Sequence, residues 1–173
     1  MLYLISNSSF IYLAGVICAF VLTILFMVMF KERLPHDQGR AFAVDGALSR
    51  GKARGAGILF ICVLVICDIL FNDLSVERTI YLAVVALSMM SGYLDDASSK
   101  PWNEYVKGGI DLLLSVAIAV NYLFYNGNTI YLGILGGRNI SIPYPVFGLL
   151  IVVLVWTAIN VTNCTDGVDG LSA

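Results

Sequence analysis

Two short stretches carry oxygen-bearing side chains at spacings that invite chemistry. The first is the pair Asp95-Asp96 in "YLDDASSK". Adjacent carboxylates repel, so at least one calls for a cation, a basic partner or a raised pKa. At a membrane surface such a pair can attract Mg²⁺, or let one acid serve as a base while the other holds a cation. The same residues also fit a plain role as solvated acids at a helix end. The second stretch is "NVTNCTDGVDGLSA", in which Asn160, Asn163, Asp166 and Asp169 recur at every third position. On an unbroken helix each such step turns a side chain by about 300°, spreading the four over roughly half the circumference. Gly167 and Gly170 argue against an unbroken helix. A helix ending near Asn163, with a turn through Asp166–Gly170, would let these oxygens converge. Amide and carboxylate oxygens suit a hard cation such as Mg²⁺, which in turn favours bound phosphate. "DGVDG" lacks the alternate acids and closing glutamate of an EF-hand loop. A capped, turn-rich exit from an apolar helix is the plainer reading.

A third stretch, "RGKARGAG", sets Arg50, Lys52 and Arg54 among Gly51, Gly55 and Gly57. Glycines let a backbone approach phosphate and the cations neutralise it, although no Walker A pattern is present. The alternative is the ordinary positive charge of a cytoplasmic loop. His36 is the single histidine, and Cys18, Cys62 and Cys67 sit inside apolar runs. A zinc site is therefore disfavoured.

The elements that must position these residues are apolar. The chain is 59% hydrophobic and 13% charged, with a mean hydropathy of +0.87. That composition requires lipid contact and excludes an ordinary soluble domain. With no basic surplus or aromatic-basic stripe, nucleic acid is excluded as a partner. Five apolar runs predict an all-α, polytopic membrane protein: Phe10–Phe30, Gly57–Phe71, Thr79–Leu94, Gly109–Tyr122 and Val146–Ile159. The shorter runs should extend into flanking polar residues. Asp68 and Asp111 lie within them, and Asp68 is expected to be a paired residue joining two spans.

Basic residues set the orientation. Lys31, Arg33, Arg40, Arg50, Lys52, Arg54, Lys100 and Lys107 fall in loops 31–54 and 95–108, and only Arg78 and Arg138 in the alternate loops. The first two loops are thus expected in the cytoplasm, with the terminal cluster on the same face. Loop 126–145 is expected outside, where "NTIYLGILGGRNISIPYP" predicts a short β-hairpin about Gly136-Gly137. No repeat or linker is visible, so residues 1–173 read as one transmembrane domain.

Taken together, these stretches resemble the polyprenyl-phosphate N-acetylhexosamine-1-phosphate transferase superfamily. Asp95-Asp96 is similar to its DD motif, and Asn160–Leu171 to its NxxNxxDGxDGL motif. Lys107-Gly108 and "ARGAGI" look most like the branch handling phospho-N-acetylmuramoyl-pentapeptide. The resemblance implies transfer of a phospho-sugar from a UDP-sugar to undecaprenyl phosphate, releasing UMP with Mg²⁺, in peptidoglycan synthesis. It implies a multi-pass protein of the bacterial inner (cytoplasmic) membrane, its active site on the cytoplasmic face. Asp95 would then deprotonate or orient the lipid phosphate, supported by Asp96. Asn163 would help bind Mg²⁺, and Asp166, Gly167 and Asp169 would line the nucleotide-sugar site. Lys107 and either Lys52 or Arg54 would contact substrate. Besides membrane lipid, a second copy of the chain is a candidate partner. Relatives of this kind carry further spans, another metal-binding aspartate and a histidine-rich loop, so the chain is expected to be the N-terminal part of a longer enzyme. The rival readings are a UDP-N-acetylglucosamine transferase for O-antigen or teichoic acid, a CDP-alcohol phosphotransferase, and an ion channel or transporter built around Asp68 and Asp111.

Overall fold

The computed structural model describes residues 8–36, 51, 53–98, 102–133 and 137–165. Five α-helices run in chain order: α1 Ser8–Phe30, α2 Gly57–Phe71, α3 Val76–Ala97, α4 Glu104–Asn126 and α5 Tyr144–Thr165. Strands β1 Thr129–Leu132 and β2 Arg138–Ser141 lie between α4 and α5. In lipid only self-satisfied backbones are tolerated, and α1, α3, α4 and α5 are each long and apolar enough to cross a membrane. The expected extension into polar flanks is seen for α3, which ends beyond Asp95-Asp96, and α4, which begins at Glu104, but not for α2, whose bounds are those of its apolar run. The expectation of five spans needs one adjustment. At 15 residues, α2 is about 22 Å long, short of a hydrocarbon core of about 30 Å.

The chain divides into two compact units. One unit contains α1, α2 and the part of α3 from Val85 onward. There α1 gives way to a 3₁₀ turn, Lys31–Arg33, and Leu34 turns extended (ψ 149°). Pro35 follows Leu34, and a residue before proline is pushed out of the helical region. Helix α1 exposes apolar side chains such as Tyr12, Val16 and Phe20, the pattern of a surface solvated by lipid. It meets α2 where Gly15 faces Phe71: a Cβ built on the glycine would lie 3.5 Å from that ring. Small residues let helices approach in this way. The foot of α2 is capped by Asn72, whose Nδ2 donates to Asp68 Oδ1 (2.7 Å) and whose N–H donates to the Asp68 carbonyl (3.0 Å). The carboxyl of Asp68 is thus engaged by the end of its own helix.

The other unit contains residues 76–84 of α3, α4, the strands and α5. Asn103 caps α4, its side-chain oxygen accepting from the Tyr105 N–H at 3.0 Å, the standard way to satisfy an orphan donor. The helix ends at Gly127, whose φ of +71° suits glycine. The strands pair antiparallel, with Thr129 opposite Ser141 and Leu132 opposite Arg138. The hairpin expected from the turn chemistry is therefore present. It returns the chain so that α5 packs antiparallel to α4. Tyr122 meets Phe147 edge-on at 5.9 Å, and at the other end Trp156 Nε1 donates to the Gly108 carbonyl at 3.0 Å. Asp111, Leu114, Ser115, Ala119 and Asn121 form the buried side of α4.

Candidate functional site

Asp95 and Asp96 occupy the last turn of α3, which contains no basic residue. A helix end carries partial negative charge, so acids there are disfavoured by roughly 0.3–1 kcal/mol each. The turn is closed by Ser98, whose N–H (3.2 Å) and Oγ (2.8 Å) both donate to the Asp95 carbonyl. Both acids are half-buried. Arg54 supplies a cation, its Nη2 lying 3.3 Å from Asp96 Oδ1. With both partners partly exposed, this pair adds only about 0–1 kcal/mol to stability; its consequence is orientation.

The backbone around Arg54 explains how the guanidinium reaches that acid. Its N–H donates to the Pro35 carbonyl at 2.7 Å, and His36 pairs with Ala53 in an isolated antiparallel bridge. These bonds close the neck of the loop that leaves α1 and re-enters at α2. Leu34, only 5% exposed, anchors the same neck. Next in the chain, Gly55 has φ +69°, and a Cβ there would sit 3.2 Å from Tyr93 of α3. Tyr93 is one turn before Asp96, so the neck is seated beside the acidic pair. The sequence offers Gly55 as a point of backbone approach to phosphate; the structure gives it a left-handed turn packed on an aromatic ring. Gly55→Ala should therefore lower stability by roughly 1–2 kcal/mol, the cost of a left-handed non-glycine residue. Gly57, with nothing within 4 Å of a built Cβ, is the control. Thermal melts in detergent should show a loss for Gly55→Ala and none for Gly57→Ala; equal melting points would remove the seating role.

In the second unit, Lys107 lies in the first turns of α4, half-buried. Asp111 follows one turn later, about one-tenth exposed, and the fully buried Ser115 donates to its carbonyl at 2.7 Å. Sequence reasoning names Asp111 without placing it. Its spacing with Ser115 is the signal of a buried polar stripe, which a hydropathy average conceals. On α5, Asn160 donates from Nδ2 to the Trp156 carbonyl at 2.8 Å, and its amide oxygen is the atom left to accept. The helix continues through Asn163 to Thr165, the last described residue, so the end anticipated near Asn163 lies outside the described residues. The side chain of Asn163, and all of Lys52, Asp166, Gly167 and Asp169, lie outside the described residues. Of the anticipated site residues, the structure brings Arg54 and Asp96 together. Among the described residues, no three of His, Cys, Asp and Glu gather as a metal cluster.

The sequence pattern of glycosyl transferase family 4 matches residues 78–173. The chain belongs to that family. The family 4 match includes both acids of the α3 end and the whole terminal stretch. Similar proteins of two strains of Treponema pallidum, one of them strain Nichols, are named phospho-N-acetylmuramoyl-pentapeptide-transferase, each 36% identical over 141 residues. That alignment covers 80% of this chain and 39% of the relative. A Lacticaseibacillus paracasei protein of the same name is 26% identical over 179 residues, covering 93% of this chain and 54% of the relative. The chain thus spans about half or less of the length of these relatives. Family 4 membership and four membrane-length helices among the described residues make this a multi-pass membrane protein.

Proposed function

We propose that this protein acts in transfer of a phospho-sugar, with phospho-N-acetylmuramoyl-pentapeptide favoured, from a UDP-sugar to undecaprenyl phosphate. The observation that carries this reading is the family 4 match across both acidic motifs, joined to relatives named for that transfer. In the reaction an oxygen of the lipid phosphate attacks the sugar-bearing phosphorus, the pyrophosphate P–O bond breaks, and UMP leaves with the bridging oxygen. Both substrates are anions, so placement and charge neutralisation supply most of the acceleration. Asp95 takes the proton of the acceptor phosphate, and Asp96 supports it. Asp166, Gly167 and Asp169 receive the nucleotide-sugar, with Lys107 and a basic residue of the 50–54 stretch offsetting phosphate charge.

Mg²⁺ is the expected cofactor. The amide oxygens of Asn160 and Asn163 and the neighbouring carboxylates are hard donors that fit it, with Asn163 the residue proposed to hold it. When bound it would neutralise phosphate charge. The site is proposed for the cytoplasmic face of the bacterial inner membrane, reached by a soluble donor and a lipid acceptor, whether the protein acts alone or as a homodimer.

Two experiments test this. The native protein, reconstituted with undecaprenyl phosphate, should release UMP from UDP-N-acetylmuramoyl-pentapeptide and not from UDP-N-acetylglucosamine. The reverse preference would assign it to the rival sugar, and no release from either would overturn the transferase reading. For orientation, single cysteines in a cysteine-free background should separate the two faces. Asn139→Cys on the exposed second strand should react with an impermeant thiol reagent from outside, and Ser99→Cys should not. Outside labelling of Ser99→Cys would invert the topology and remove the cytoplasmic site.

A further inference from the structure

We infer that Arg54 is a positioning residue for the acidic pair, not a contact to the nucleotide. This rests on the transferase reading above and resolves which role Arg54 plays within it. The last turn of α3 holds Asp95 and Asp96 and no base, so its own carbonyl dipoles work against both carboxylates. A cation from outside the helix offsets that repulsion, and Arg54 provides one 3.3 Å from Asp96. Its position is fixed on both sides along the chain. The Arg54 N–H is tied to the Pro35 carbonyl at 2.7 Å, and Gly55, in a left-handed conformation, rests against Tyr93. A side chain free to follow a substrate would not need its backbone pinned at the neck of a loop. Holding Asp96 keeps the final turn wound, and that turn includes the Asp95 carbonyl to which Ser98 donates twice. Arg54 thereby sets where the Asp95 carboxylate is presented to the acceptor.

Steady-state kinetics on the reconstituted native protein separate the two roles. Arg54→Gln should lower kcat by about 10–100-fold and leave KM for the UDP-sugar within about twofold, because ground-state nucleotide binding is untouched. Arg54→Lys, which keeps the charge, should recover most of that loss. The double variant Arg54→Gln/Asp96→Asn should be no slower than Asp96→Asn alone, as expected for residues acting as a unit. A KM raised about tenfold with kcat preserved would make Arg54 a nucleotide contact and overturn the inference. Multiplying losses in the double variant would also overturn it, even with normal folding. Melting temperatures in detergent of the wild type, Arg54→Gln, Asp96→Asn and the double variant give a readout independent of turnover: non-additive shifts support the pair, and strictly additive shifts remove it. If the wild type itself releases no UMP, the transferase reading has failed. An active wild type with independent losses sinks only the role given to Arg54.

Discussion

Asp95→Asn is expected to slow transfer to undecaprenyl phosphate by about 10²–10⁴-fold, the usual contribution of a general base. The substitution keeps size and hydrogen-bonding capacity and removes negative charge and basicity. Folding in detergent should survive the change, since Asp95 sits in the final turn of α3 and the substitution is isosteric. The backbone bonds from Ser98 go to the Asp95 carbonyl and survive the change. A variant that is nearly inactive yet still folds is the signature of a functional acid. Initial rates of UMP release, paired with melting curves in the same detergent, check both halves. Near-normal turnover would return the pair to a plain helix end.

The helices are legible in the sequence because the lipid environment makes the pattern simple. A run such as Phe10–Phe30 has one low-energy solution in hydrocarbon, a helix that satisfies its own backbone, and α1 covers it fully. The ends are less legible, since they depend on single interactions that averages ignore. Helix α1 stops where Leu34 precedes Pro35, and α2 stops where Asn72 folds back on Asp68. A carboxyl in an apolar run demands a partner, and Asn72, four residues along, is one that the hydropathy pattern does not reveal. The hairpin is readable from β-branched and aromatic residues flanking a glycine pair. The observed register, Ile130 opposite Ile140, follows the same alternation.

The site is legible in its residue types and not in its pairings. The adjacent acids advertise a need for a cation, yet Arg54 lies far earlier in the chain and stands among several equivalent bases. Only the neck bonds at Pro35 and His36 single it out. Gly55 is incompletely legible for a related reason. A glycine in a basic run reads as phosphate approach, and Tyr93, which gives it a packing role as well, lies on another helix. Asp111 and Ser115 are hidden because α4 is apolar on average, and only their shared burial marks them as a stripe.

Asn163→Ala and Asp169→Ala should each remove most turnover, and by different routes. Asn163 lies near the end of the described part of α5, and the change removes one neutral oxygen from the proposed metal shell. Mg²⁺ affinity should fall by about 10–100-fold, a range that changes near a metal site commonly produce, so added Mg²⁺ should recover part of the rate. Asp169→Ala removes one charged contact to the nucleotide-sugar. A hydrogen bond to a charged group contributes about 1.5–3 kcal/mol, so KM for the UDP-sugar should rise by roughly 10–100-fold with no change in the Mg²⁺ optimum. Neither change should disturb insertion, because α5 owes its place to packing against α4 through Phe147 and Trp156. Titrating Mg²⁺ and UDP-sugar separately for each variant distinguishes the two routes. If both variants shift the same titration, Asn163 and Asp169 serve one ligand and the division of roles is wrong. If neither shifts, and only expression falls, the terminal stretch is a structural exit from the membrane and the metal site must be sought elsewhere.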